Sequence, residues 1–240
     1  MQFKKICFLL LIASGLFRGS SAWAFSLLGP YEEWQTPQLN YRQPGDIGGW
    51  MGRDEEYRWN VPYITYGFDS SFISYFGTNG INAVEEAIAI LNALPPASQL
   101  DVESYPMVAH GINPQAQALQ LADVKSVALT LLLEEMGLAD PYTGVWRLRD
   151  RVTGTGFTNY YVIQRNYDPL TYIPTNAING ILFTYNTIVD IQDAGPPTGA
   201  YPLVTTLDTT DNPPYTAAAS SSSVRPGVFF TGLTRDDVGA

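Results

Sequence analysis

The sequence predicts an α/β protein of the α+β type, a single domain with a mixed twisted sheet and two main helices. Two stretches place apolar residues at helical spacing, residues 79–94 and residues 113–140. Short runs rich in β-branched and aromatic residues predict strands at residues 61–68, 145–151, 157–165, 181–191 and 201–207. Helices and strands in such a mixture must pack against each other to bury their apolar faces.

The first 24 residues have the composition of a secretory signal peptide. Lysines at positions 4 and 5 form its charged start, residues 6–17 its apolar centre, and Ala-Trp-Ala at 22–24 a small-x-small cleavage site. The apolar centre is shorter than the roughly 20 residues of a membrane-spanning helix. We therefore expect cleavage at about Ala24. The mature chain is expected to be secreted or extracellular, periplasmic or at the cell surface, without insertion into the membrane.

Charge and the scarcity of Cys and His exclude several classes of function. The mature chain keeps ten basic residues against 23 acidic ones. It therefore lacks the clustered Lys and Arg with which proteins bind nucleic acid or anionic membranes. The only cysteine, Cys7, leaves with the signal peptide, which excludes thiol catalysis and disulfides. The single histidine, His110, excludes any site built from several histidines. No cofactor is indicated.

Gly, Pro and aromatic residues dominate residues 25–60, which we interpret as an extended arm packed over the globular domain, residues 61–240. Trp34, Tyr41 and Trp59 make the arm too aromatic for a disordered linker, because such side chains gain free energy on burial. The functional alternative for this arm is an aromatic platform for a sugar or a peptide.

The globular domain is predicted to open with a strand and a helix. The segment VPYITYGF, residues 61–68, favours a strand by its β-branched and aromatic content. Asn79 can cap a first helix with one apolar face, and Pro95-Pro96 would end it.

The stretch from Asn113 to Asp140 predicts one long buried helix around which the rest of the domain is organised. Leucines point in four directions around its axis, which is typical of a helix inside a domain. Asn113 suits the N-cap, Pro114 the first helical position and Gly137 the C-terminal end of this helix. Its polar residues keep to one stripe at a spacing of four, Ser126, Thr130 and Glu134.

The segment VALTLLLEEMGLAD in this stretch resembles the active-site helix of the metzincin metalloproteases, whose pattern is H-E-x-x-H-x-x-G-x-x-H or D. Gly137 matches the family glycine and Asp140 the third metal-ligand position. Thr130 and Glu134 stand at the first two histidines, and Leu131 at the catalytic glutamate. Zinc needs three good ligands and an open position for water. The resemblance thus implies a degenerate cleft with Thr130, Glu134, Gly137 and Asp140 as vestigial positions, no catalytic residue and no metal.

Two further segments carry the resemblance in the family's order. WNVPYITY followed by a helix resembles the opening of matrixin-like domains, and LTRDDV at residues 233–238 resembles the start of their closing helix. Thr234 and Asp237 have the spacing of a capping box. We expect the domain to be truncated at this C-terminal helix. FSLLGPY and QPGDIGG are similar to segments of exported bacterial proteins, from which no activity carries over.

Residues 145–151 and 157–165 predict a β-hairpin, joined by a glycine-containing turn. Arg147, Arg149 and Arg151 follow each other at a spacing of two, which places them on one face of a regular strand. They form either a solvated face opposite the protein's own acids or a strip that faces a carboxylate-bearing ligand.

Three functions are compatible with the sequence. The first is an exported, non-catalytic metzincin-like pseudo-protease domain that binds peptide or polysaccharide through aromatic surface. The second is a carboxylate-based or metal-dependent hydrolase, which a bound metal would favour. The third is a structural cell-surface protein with an anchor in a missing C-terminal part.

Overall fold

A computed structural model describes residues 25–31, 45, 47–55, 59–188, 199–204 and 225–239. The predicted signal peptide and part of the predicted arm lie outside these residues. The helices are α1 (Ser70–Asn92), α2 (Pro114–Ala118), α3 (Val124–Glu135), α4 (Pro141–Gly144) and α5 (Arg235–Val238). The strands are β1 (Ser26–Pro30), β2 (Ile47–Trp50), β3 (His110–Ile112), β4 (Leu138–Ala139), β5 (Arg147–Gly154), β6 (Phe157–Ile163), β7 (Ala177–Ile178), β8 (Ile181–Ile188), β9 (Gly199–Val204) and β10 (Val228–Phe230).

The described strands form four separate antiparallel sheets, ordered β2-β1-β4, β10-β3, β5-β6 and β7-β8-β9. Helices and small sheets together confirm the α+β class. These strands do not form the single mixed sheet that the sequence predicts. A mixed sheet needs parallel neighbours joined by crossover connections. Here β5-β6, β7-β8 and β8-β9 are each neighbours in sequence and run antiparallel.

The predicted central helix is two helices, α2 and α3. Asn113 caps α2 as predicted, since its side-chain oxygen accepts two main-chain N–H groups of the first turn. A second cap follows, because Asp123 accepts the main-chain N–H of Ser126 at 2.9 Å and starts α3. Gln120 between the two helices has a φ of 56°. An acidic side chain that caps a new helix competes with continuation of the preceding one.

The main core lies between α1, α3 and the C-terminal segment. Leu129 and Leu133 are one helical turn apart on the buried face of α3. With them pack Ala87, Phe230, Leu233 and Val238. Leu131, on the opposite face, is 54% exposed. Glu135 is also exposed, and the other residues of α3 are buried or half-buried, so α3 is covered on most sides as predicted, whereas α2 is mostly exposed. Within the described ranges, no helix combines the length and apolarity needed to cross a bilayer.

Residues 61–68 are not the strand that the sequence predicted. They form an irregular segment outside every described sheet, and residues 61–67 are all exposed. The following helix, α1, begins earlier than predicted, where Asp69 accepts the main-chain N–H of Ser71 at 2.7 Å. Gly77 interrupts α1 with φ 59° and ψ −153°, so the predicted start at Asn79 coincides with its second part.

The predicted hairpin is confirmed as β5 and β6, with Gly154 opposite Phe157 at its turn. The register shifts between Leu148 and Asp150, which makes Arg149 an extra residue on β5. A bulge of this kind interrupts the two-residue alternation of a strand. The strip at Arg147, Arg149 and Arg151 was inferred from that alternation. Because only the main chain is described here, the strip stays a prediction.

The predicted capping box at the start of α5 is confirmed. Asp237 Oδ2 accepts the main-chain N–H and the hydroxyl of Thr234, each at 2.7 Å, and both residues are buried. The adjacent Asp236 accepts the main-chain N–H of Asn179, also at 2.7 Å. The start of α5 is thus held against the turn between β7 and β8.

Candidate functional site

The polar edge of α3 contains Thr130 and Glu134, one helical turn apart. Thr130 is 4% exposed, and its buried Oγ1 has no hydrogen-bond partner among the described residues. The hydroxyl therefore bonds to neither Glu134 nor Asp140. Leu131, which the resemblance places at the catalytic glutamate, points away from the core and cannot transfer a proton.

Glu134 is a half-buried carboxylate. Burial raises its pKa, and the neighbouring carboxylate of Glu135 raises it further. Both causes disfavour the charged form of the side chain. Of the predicted cleft positions, Glu134 thus has the chemistry closest to that of a general acid.

Gly137 and Asp140 lie directly before and after β4 and are tied to the β2-β1-β4 sheet. Gly137 has a φ of 102°, and its N–H bonds to the carbonyl of Glu134, so it ends the helix as predicted. Its own carbonyl accepts the main-chain N–H of Leu28 at 2.7 Å. The main-chain carbonyl of Asp140 accepts the indole N–H of Trp50 at 3.3 Å. Across the described chain, no three His, Cys, Asp or Glu residues form a group that could hold a metal ion.

His110, the only histidine, lies in β3 opposite Phe230 of β10. Burial lowers its pKa, which favours the neutral imidazole at pH 7. His110 is thus a neutral, partly buried residue of a short strand that pairs with the C-terminal segment.

A row of aromatic side chains forms a second candidate site, which we call the aromatic surface. It comprises Trp59, Tyr63, Tyr66, Phe68, Phe72, Tyr75 and Phe76. Five of the rings are in continuous contact, from Tyr66 through Phe68, Phe72 and Phe76 to Tyr75, with centroid distances of 4.7–5.8 Å. Tyr63 and Tyr75 are 84% and 83% exposed.

The aromatic surface is attached to the polar edge of α3 through Trp59. Its indole N–H donates to the main-chain carbonyl of Glu135 at 2.7 Å. Isolated exposed apolar side chains are normal, but a contiguous exposed apolar patch marks an interaction site. The sequence signal was the density of Trp, Tyr and Phe between residues 59 and 76. Its densest part, residues 61–68, was interpreted as a strand, so the site was missed.

Comparison with protein-family models, with curated proteins and with solved structures finds no match to this chain. The metzincin resemblance therefore rests on its three sequence segments and stays a prediction.

Replacement of Glu134 by Gln is expected to stabilise the fold at neutral pH. A carboxyl with a raised pKa in the folded state is penalised once it ionises. No penalty exists below the ordinary glutamate pKa of about 4.3. Stability is then lost as the pH rises from that value through the raised pKa. Glu134→Gln should therefore melt higher than the wild type at pH 7 and equally at pH 3.5, as measured by circular dichroism.

Glu86→Gln is the matched control for this measurement, because Glu86 is an exposed glutamate on α1. It corrects for the general effect of one negative charge fewer on an acidic protein. An equal gain at pH 7 for Glu134→Gln and Glu86→Gln would show that the burial of Glu134 has no energetic consequence.

Proposed function

We propose that this chain is an exported, non-catalytic binding domain with metzincin-like architecture, and that the aromatic surface holds its ligand. The observation that carries the proposal is the row of five contacting rings, three of them exposed, together with exposed Tyr63 and with Trp59 at the C-terminal end of α3. Export is supported by the composition of residues 1–24.

Exposed aromatic rings favour binding because of what they gain on contact. Trp and Tyr bury a large area with few rotatable bonds, and their polar ends stay satisfied at a wet boundary. Such residues provide most of the binding energy at interfaces. Tyr63 and Tyr75, the two most exposed rings, can bury the most area against a ligand.

The aromatic surface is supported by the main core. The later part of α1 packs through Ile90 and Leu91 against the cluster that contains Leu129. Phe72 and Phe76, the middle of the ring row, precede the break at Gly77 and pack against Gly80 of the later part. A surface supported in this way loses little freedom when a ligand binds, which favours affinity.

Kinship with metzincins is supported by the arrangement around α3. Helix α1 packs against α3, Thr130 and Glu134 share one face, and Gly137 ends the helix in a left-handed conformation. The absence of catalysis is supported by Leu131 and by the buried hydroxyl of Thr130, neither of which can activate water at these positions.

A carboxylate-based hydrolase is the second candidate, and the raised pKa of Glu134 favours it. The two candidates differ in one measurement. A hydrolase cleaves a peptide or polysaccharide at a rate that Glu134→Gln lowers by about 100-fold or more. If the chain is a binding domain, both the wild type and Glu134→Gln leave the ligand intact.

The binding proposal is tested with the purified mature chain and two labelled ligands, reduced and alkylated lysozyme as an unfolded polypeptide and laminarin as a polysaccharide. The double variant Tyr63→Ser/Tyr75→Ser should bind at least about tenfold more weakly by fluorescence polarisation, because it removes two exposed anchors. Circular dichroism checks that this variant is folded.

Val108→Ser is the matched control, since Val108 is an apolar residue of comparable exposure outside the aromatic surface. It should bind like the wild type. Equal affinity of the double variant and the wild type, or no affinity of the wild type for either ligand class, would overturn the proposal.

A further inference from the structure

Residues 61–67 have the composition of a strand and no strand partner. Val61, Ile64 and Thr65 are β-branched, and Tyr63 and Tyr66 are aromatic. Every residue of the segment is exposed. In the described part of the chain, none of its main-chain N–H or C=O groups forms a hydrogen bond. The segment therefore presents unpaired main-chain N–H and C=O groups, which we call the open edge, on residues that favour strands.

Both ends of this segment are held while its middle is open. At one end, Trp59 is anchored by its indole bond to the carbonyl of Glu135. At the other, Phe68 stacks on Phe72 with a centroid distance of 5.5 Å, and Asp69 caps α1. A segment fixed at both ends loses less conformational entropy when it pairs with another chain than a free one does.

The open edge selects for an extended polypeptide. Unpaired N–H and C=O groups at strand spacing are a template for another strand, and recognition by strand addition uses this template. Pro62 has no N–H, so the donors of the segment are Val61 and residues 63–67. A polysaccharide can stack on the rings but does not supply alternating donors and acceptors at the spacing of a strand.

The charges around the edge select for basic residues in that polypeptide. Glu134 and Glu135 flank the end anchored by Trp59, and Asp69 flanks the other end. Residues 59–92 contain no Lys or Arg, and the chain has a net charge of −10. A second copy brings the same negative charge and is repelled, whereas Lys or Arg beside the edge is attracted.

We propose that residues 61–67 bind an extended polypeptide segment with Lys or Arg at its ends, by pairing with it as an added β-strand. This inference rests on the proposed function, because the edge runs between the rings of the aromatic surface. It adds main-chain pairing as the source of selectivity and names the class of ligand.

The test uses three synthetic nine-residue probes and the folded mature chain. The first alternates Val and Thr and carries Lys at both ends. The second is the same peptide with N-methyl groups on alternate residues, and the third carries Glu in place of Lys. The first should bind about tenfold more tightly than the second, because methylation removes its donors along one edge. The Glu probe should bind more weakly than the Lys probe, by a margin that shrinks as salt is added.

Variants at Thr65 test the protein side of the pairing. Thr65→Pro removes one main-chain N–H from the edge, and Thr65→Ala is its matched control because it keeps that group. Thr65 is exposed and without hydrogen bonds, so both variants should melt like the wild type. The first probe should bind several-fold more weakly to Thr65→Pro than to Thr65→Ala.

Failure of the inference and failure of the proposed function look different. If methylated and unmethylated probes bind equally, and Tyr63→Ser/Tyr75→Ser weakens both, strand pairing is overturned and the aromatic surface stands. If none of the probes binds, the inference is overturned. If light scattering shows a dimer that Thr65→Pro dissociates, the edge pairs with a second copy and the basic polypeptide is overturned.

Discussion

Replacing Leu129 with Ala is expected to lower the free energy of unfolding by about 3 kcal/mol. Leu129 has no exposed surface and packs within the cluster formed by α1, α3 and the C-terminal segment. Removal of a buried leucine side chain costs the transfer free energy of the lost atoms and leaves a cavity that neighbours fill only in part. A loss of this size is a large share of the stability of an ordinary domain.

Leu131→Ala is the matched control, because Leu131 lies on the same helix with more than half of its surface exposed. It should change the free energy of unfolding by no more than about 0.5 kcal/mol. Urea denaturation followed by circular dichroism measures both variants. Leu129→Ala should lower the urea midpoint while the dependence of the unfolding free energy on urea concentration stays the same. Equal losses at the two positions would contradict the placement of α3 with Leu129 inward and Leu131 outward.

The ends of the central segment could be predicted, but its break could not. Asn113 and Gly137 act through their own side chain and φ angle, so local sequence suffices. Asp123 is a residue type that often caps helices, but no Gly or Pro separates it from α2, so the sequence did not mark a break there. It caps α3 because Ser126 lies three residues on, and the hydroxyl of Ser126 in turn accepts the main-chain N–H of Phe230 at 2.7 Å. That second contact is 104 residues away in sequence.

The strand prediction for residues 61–68 was wrong for a different physical reason. Strand propensity describes how well a side chain fits a pleated, half-buried surface, so it requires a neighbouring strand. The hairpin of β5 and β6 has its neighbour a two-residue turn away, and it was predicted correctly. Residues 61–68 pair with no described strand, so their strand propensity is not realised, and Tyr63 and Tyr66 lie on the surface.

In the candidate site, too, features set by local sequence could be predicted and features set by tertiary packing could not. The shared face of Thr130 and Glu134 is a consequence of helical period and could be predicted. The burial of the Thr130 hydroxyl and the raised pKa of Glu134 depend on what packs around α3, which sequence spacing does not contain.

Replacing Asp237 with Ala is the second large effect, with an expected loss of about 3 kcal/mol in the free energy of unfolding. Its carboxylate accepts both the main-chain N–H and the hydroxyl of Thr234, and Thr234 has no exposed surface. Without Asp237 these donors stay buried without water, and a buried donor without a partner costs more than the bond itself contributed. Asp237→Asn keeps one acceptor oxygen, so its loss should be smaller than that of Asp237→Ala.

Asp101→Ala is the control for Asp237→Ala, because Asp101 accepts the main-chain N–H of Glu103 in an exposed short helix. Water can replace that bond, so the loss should be a small fraction of the loss at Asp237. Thermal and urea denaturation of the three variants beside the wild type decide the comparison. If Asp237→Ala were no worse than Asp101→Ala, the buried capping box would not hold the start of α5. Val238 and Leu233, which flank the box, would then need another reason for their place in the core.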